Sequence, residues 1–205
     1  MKATRKMGFF ALGLVSLAGV IGVVASSKSI TKLATLVEAA SPNELILDVA
    51  ADCRTFVPGP NRGDVVMVSG KIFPGGTLPS GAASNDPTQP VNGVAPIGDW
   101  LNRGQSALPF LPNIAAAYNS TPPEFATLYY LLNGGRDALI TEGYGAIDVH
   151  GSPAVLLSVI GGIGGFSGAA GDVQGPILGT NATGCPNGRA VFRFRHGSLR
   201  GGASN

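Results

Sequence analysis

Glu142 stands in a strand-like run with Ile140 and Tyr144 on its own face. If that face points into an apolar interior, lost hydration raises the carboxyl pKa and suits it to general acid–base work. The competing reading is a glutamate that faces solvent or satisfies a rim. Tyr129 and Tyr144 offer hydroxyls that can orient a ligand oxygen, although amphipathic rings are also ordinary filler. Asp99, Trp100 and Arg103 lie close together in sequence. The indole can stack on a ligand and the guanidinium can pair with a carboxylate; the alternative is a structural strand end.

Other chemistries find little support. The two histidines, His150 and His196, lack metal-ligand spacing, so no metal site is expected. Gly161–Gly168 departs from the dinucleotide fingerprint, because Ser167 takes the place of the last glycine and no helix is expected after it. No cofactor is implied, and there is no nucleophile elbow of the G-x-S-x-G type.

The elements that must position these residues are β-strands. Val159–Phe194 is dense in glycine, and each helix-interior glycine costs about 1 kcal/mol relative to alanine. Its apolar residues alternate with small or polar ones, which is strand periodicity. Glycine-rich strands bend sharply or admit a second backbone, and closed barrels need both. The chain has 205 residues, 44% hydrophobic and 13% charged, with 31 glycines and 15 prolines. That is one domain plus extensions, rich in turns.

Eight strand-like runs are predicted: 44–53, 64–73, 97–106, 124–132, 138–148, 154–160, 166–174 and 190–196. The fold expected is all-β, an eight-stranded antiparallel up-and-down barrel of calycin type spanning 44–196. Closure removes exposed strand edges, and eight strands leave room for side chains or one small ligand. Phe192 and Phe194 share a face and are placed toward the lumen, opposite Arg193 and Arg195. Two connections are long. Pro74–Pro96 reads as a mobile surface excursion, and Ala107–Pro123, with Phe110, Leu111 and Tyr118, as a lid.

Residues 1–26 have the layout of a signal peptide: Lys2, Arg5 and Lys6, an uncharged run at 8–25, then the small residues Ala25 and Ser26. An uncleaved anchor helix is the alternative, since the run is just long enough to span a bilayer. Residues 27–43 read as a linker and 197–205 as a flexible tail. A secreted or periplasmic location follows, or membrane attachment through 8–25 alone. Three of the 14 basic residues lie in the leader, leaving 11 against 12 acidic ones. No basic stripe is present, so no nucleic-acid partner is expected. Cys53 and Cys185, an even count in an exported chain, are expected to form a disulfide, with two buried thiols as the alternative.

Several segments resemble, in family order, the allene oxide cyclase-like barrels related to the dirigent proteins. They are Gly63-Asp64-Val65-Val66, Ile97-Gly98-Asp99-Trp100 through Arg103-Gly104, Thr141-Glu142-Gly143, the glycine hallmark Val159–Val173, and the turn Gly179–Gly184. The resemblance implies the barrel, a hydrophobic ligand in its lumen, and a homo-oligomer. It also implies that Met67 lines the cavity, where plant cyclases carry a proline. The dirigent arginine is absent, because the hallmark reads Ala169-Ala170-Gly171 here. Three roles stay open: a binder or carrier of a hydrophobic small molecule, a cofactor-free isomerase or cyclase, and a structural envelope protein with a filled barrel.

Overall fold

The computed structural model describes residues 43–57, 61–106, 124–145 and 157–195. The leader, nearly all of the linker, the tail and the expected lid at 107–123 lie outside these residues. Among the described residues no helix is long and apolar enough to cross a membrane.

Among the described residues, nine strands form one antiparallel sheet. They are β1 (Glu44–Val57), β2 (Val65–Pro74), β3 (Gly98–Ser106), β4 (Glu124–Leu132), β5 (Asp137–Gly145), β6 (Leu157–Ile163), β7 (Gly171–Gln174), β8 (Ile177–Thr180) and β9 (Pro186–Phe194). Each of β1 to β6 pairs with the next. The sheet closes because β9 pairs with β1, from Glu44 opposite Arg193 to Ala50 opposite Asn187. Both β7 and β8 lie on the other side of β9, β7 against Val191–Phe194 and β8 against Pro186–Gly188. They are two halves of one stave, so the barrel has eight staves.

The break in that stave falls at Gly175-Pro176. Proline has no N–H to donate to a ladder. A Cβ on Gly175 would lie 1.6 Å from the Arg189 carbonyl oxygen, so only glycine lets the chain pass this close to β9. The Pro176 carbonyl still accepts a bond from Arg189 N at 3.0 Å. The expected run at 166–174 therefore starts later, at Gly171, after a 3-10 turn at Gly164–Phe166. The short β8 was not foreseen.

The lumen holds the main core, including Leu45, Leu47, Val49, Ile72, Leu132, Leu139 and Val159. Phe192 and Phe194 point inward as expected, their rings stacked with centroids 6.0 Å apart. Tyr130 meets Phe192 edge-on at 4.9 Å.

A second apolar layer lies outside the barrel. Phe73 and Ala50 pack there against Leu78 and Val91 from the β2–β3 connection, and Pro87 is fully buried. The connection is thus a packed strap, not the loose excursion that its glycines, prolines and polar residues implied. Gly81 N and Ala83 N donate to the carbonyls of Leu178 and Thr180 at 2.6 and 2.8 Å, covering the free side of β8. Asp48, wholly buried under the strap, accepts from Leu78 N at 2.9 Å and from Arg189 Nε at 2.8 Å. These contacts explain why β1 is buried on both faces along most of its length.

Cys53 and Cys185 are joined in a disulfide across the β1–β9 seam, their Cα atoms 5.2 Å apart. Beside it, Asn181 Nδ2 donates to the Ala51 carbonyl at 2.8 Å. The same asparagine accepts from Thr183 N at 2.9 Å, the local turn bond its residue type favours.

Candidate lumenal binding site

Strand alternation decides which side chains reach the lumen. On β3 these are Trp100 and Asn102; on β4, Ala126, Leu128 and Tyr130; on β5, Leu139 and Thr141. Trp100 lies directly opposite Tyr130, and Leu128 lies between Asn102 and Thr141 in the ladder. β1 adds Val49 and Ala51, β6 Leu157, β7 Val173, and β9 Gly188 and Ala190. Together with the Gln174–Ile177 break and Pro186, most of these residues surround a cavity of about 120 Å³, partly open to solvent. An apolar cavity of about 150 Å³ takes up benzene; this one is somewhat smaller, so a single six-membered ring is the upper limit for its inner part, with the open side taking the rest.

Besides Gln174 and Arg189, three side chains with polar tips interrupt the apolar wall. Trp100, Asn102 and Tyr130 all line the cavity, and Thr141 is fully buried beside them on the next strand. Tyr130 is only 3% exposed. Burial pushes its phenol well above the ordinary tyrosine value, while neighbouring Trp100 and Thr141 act in the opposite direction. The hydroxyl therefore holds its proton throughout the neutral range. Although Tyr130 faces both groups, Trp100 Nε1 and Thr141 Oγ1 close no hydrogen bond of good geometry, and both atoms are buried. Unsatisfied buried polar atoms are few in folded proteins and call for an explanation.

The lumen receives only some of the residues singled out by sequence. Trp100 lines the cavity. Glu142 is exposed, opposite Thr127 and Ser158 on the outer surface. The buried parity of β5 belongs to Leu139 and Thr141, so the apolar setting an acid–base carboxyl would need is not around Glu142. Arg103 and Met67 face each other across the β2–β3 ladder, also outside, with Met67 36% exposed. Met67 therefore does not line the cavity. Asp99 is on the outer face as well and pairs with Lys71. Tyr129 is half-buried outside, opposite Leu101 and Ile140. Tyr144 pairs with Phe125 in the β5 register, but its side chain lies outside the described residues.

Tyr130, Asn102 and Thr141 were missed. Their signal was parity with Trp100, since Trp100-x-Asn102 and Leu128-x-Tyr130 each follow the strand period. The Tyr129-Tyr130 doublet hides it, because a one-residue slip exchanges the two faces. No cluster of three or more potential metal-ligating side chains occurs among the described residues.

No family model and no curated relative matches the sequence. Among the solved structures similar to the chain are two that it covers over most of their length. One is a pyocyanin demethylase, 13% identical, with a TM-score of 0.45 over 74% of this chain and 99% of that one. The other is the pterocarpan synthase dirigent protein GePTS1, 12% identical, with a TM-score of 0.46 over 74% of this chain and 84% of that one.

Proposed function

We propose that this protein binds a small hydrophobic molecule in the barrel lumen, after export directed by residues 1–26. The observation that carries the reading is the partly open, mainly apolar cavity that Trp100, Asn102 and Tyr130 help to line. Apolar walls with a few placed polar groups are the usual make-up of a small-molecule site. A barrel plugged by its own side chains would leave no such space. The disulfide agrees with an oxidising compartment.

Tyr130 supports a second reading, an isomerase that works without a cofactor. A phenol that stays protonated at neutral pH can donate a hydrogen bond to an oxygen on which negative charge develops, so Tyr130 would serve as an electrophilic stabiliser in such a reaction.

Native mass spectrometry of protein purified from its own host tests the main reading. A bound apolar compound that is lost on denaturation is the expected result. Trp100 is the only tryptophan, so its fluorescence reports lumen occupancy directly. Absence of any co-purifying mass, with unchanged emission on adding cyclohexanone or methylcyclohexane, would reject it.

A further inference from the structure

We propose that the lumen selects an uncharged, ring-sized molecule carrying a hydrogen-bond acceptor, held against Trp100 Nε1 with the Tyr130 hydroxyl beside it. The proposal rests on the reading that the lumen binds small molecules, and it names their class.

The first argument is the poorly aligned donor. An indole N–H can only donate. That of Trp100, on a side chain that lines the cavity, is buried and, among the described residues, closes no hydrogen bond of good geometry, its polar neighbour being the Tyr130 hydroxyl. Leaving such a group unmet costs its full desolvation, and a ligand acceptor removes that cost. A pure hydrocarbon of the same shape does not. Thr141 Oγ1, fully buried on the next strand and outside the cavity lining, closes no hydrogen bond of good geometry either, so the Tyr130 hydroxyl can turn between it and a ligand atom. A protonated phenol can donate too, so Trp100 and Tyr130 both favour an acceptor, while the amides of Asn102 and Gln174, which also line the cavity, can serve either way.

The second argument is charge. Among the described residues that line the cavity, Arg189 is the only one charged at neutral pH. Its guanidinium is engaged by Asp48, with Nε to Oδ1 at 2.8 Å and Nη2 to Oδ2 at 3.3 Å. No lining carboxylate faces a cationic ligand, and no uncommitted cation faces an anionic one. An ionised ligand would lose hydration with nothing in exchange.

The third argument is size. The inner part of the cavity takes one six-membered ring at most, and a larger molecule must project from the open side. Cyclic or aromatic ketones, ethers and aza-aromatics meet all three conditions.

Three near-isosteric probes test this: cyclohexanone, methylcyclohexane and cyclohexanecarboxylate, each titrated at pH 7. The readouts are affinity and the indole N–H resonance, which is a single signal in this chain. Cyclohexanone is expected to bind about ten-fold more tightly than methylcyclohexane and to move the indole proton downfield. Cyclohexanecarboxylate is expected not to bind. In Trp100→Phe the preference for the ketone should collapse while hydrocarbon binding persists. If that variant fails to fold, the indole shift in the unaltered protein decides. Equal binding of ketone and hydrocarbon, a still indole resonance with ketone bound, or a preference that survives Trp100→Phe overturns the proposal and leaves lumenal binding intact. Tight binding of the carboxylate overturns its charge component. If neither neutral probe binds, lumenal binding itself falls, and the selectivity falls with it.

Discussion

Trp100 and Tyr130 stand directly opposite each other on β3 and β4, the indole and the phenol both turned into the lumen, yet among the described residues the indole N–H closes no well-aligned hydrogen bond. A donor held this close to a hydroxyl but poorly aligned with it is left to face something else. In this barrel that something is the space between the side chains.

Removing the Tyr130 hydroxyl separates packing from recognition. Tyr130→Phe keeps the ring that meets Phe192 edge-on and deletes a buried polar atom. Urea unfolding should shift by less than about 1 kcal/mol, whereas cyclohexanone affinity should fall several-fold. A large loss of stability with unchanged affinity would make Tyr130 a structural residue only.

The disulfide should dominate stability. It links positions 132 residues apart, which in the chain-entropy model stabilises the fold by about 4–5 kcal/mol. Paired replacement of Cys53 and Cys185 by serine should lower the denaturation midpoint accordingly. Ligand affinity should fall too, because Ala51 and Pro186 line the cavity on either side of the bridge. Equilibrium unfolding with and without reductant measures both effects.

Two glycines of the glycine-dense Val159–Phe194 stretch should respond in opposite ways to alanine. A Cβ on Gly175 would meet the Arg189 carbonyl at 1.6 Å, so Gly175→Ala must push the broken stave off β9. Overpacking of this kind costs about 1–3 kcal/mol or more. Gly161 has open space around its Cβ position and ordinary backbone, so Gly161→Ala should be neutral or slightly stabilising. Thermal melts of the two variants give the comparison.

Acid should loosen the strap. Arg54 bridges Asp52 at 2.7 Å and Asp86 at 3.0 Å, tying β1 to the strap. Its guanidinium holds both carboxyls below the ordinary Asp value of 3.8. Groups with depressed folded pKa values stabilise the protein above that value, and the contribution disappears as pH falls below it. Melting temperature should therefore drop as pH is lowered below about 4, and less steeply in Asp86→Asn. The effect should be small, because Arg54 is largely exposed. Identical slopes in the two proteins would remove the ion-pair explanation.

Much of the barrel was legible because closure leaves a local record. Glycine density marked the tight passages, alternation put Phe192 and Phe194 inside, and the paired cysteines fall at the closing seam. What escaped depends on contacts distant in sequence. Asp48 is buried only because the strap folds over it and Arg189 reaches it across the seam. The β7–β8 break depends on how close β9 comes to Gly175. At the site, Trp100 was recognisable as a large ring on a strand. Glu142 drew attention by its chemistry, but the face it occupies is set by Leu139 and Thr141. A one-residue parity choice separates Glu142 from Thr141 and Tyr129 from Tyr130, and short strands carry too few residues to fix it.

The pairing of β1 with β9 also dictates when the molecule can finish folding. The partner of the first strand is synthesised last, so a nascent chain emerging from the ribosome holds β1 with one side unpaired until residue 194 is available. Contacts this far apart in sequence form slowly, and an open intermediate is prone to associate with its neighbours. Any premature stop before Pro186 would yield an uncloseable sheet, a product destined for proteolysis rather than a smaller working barrel.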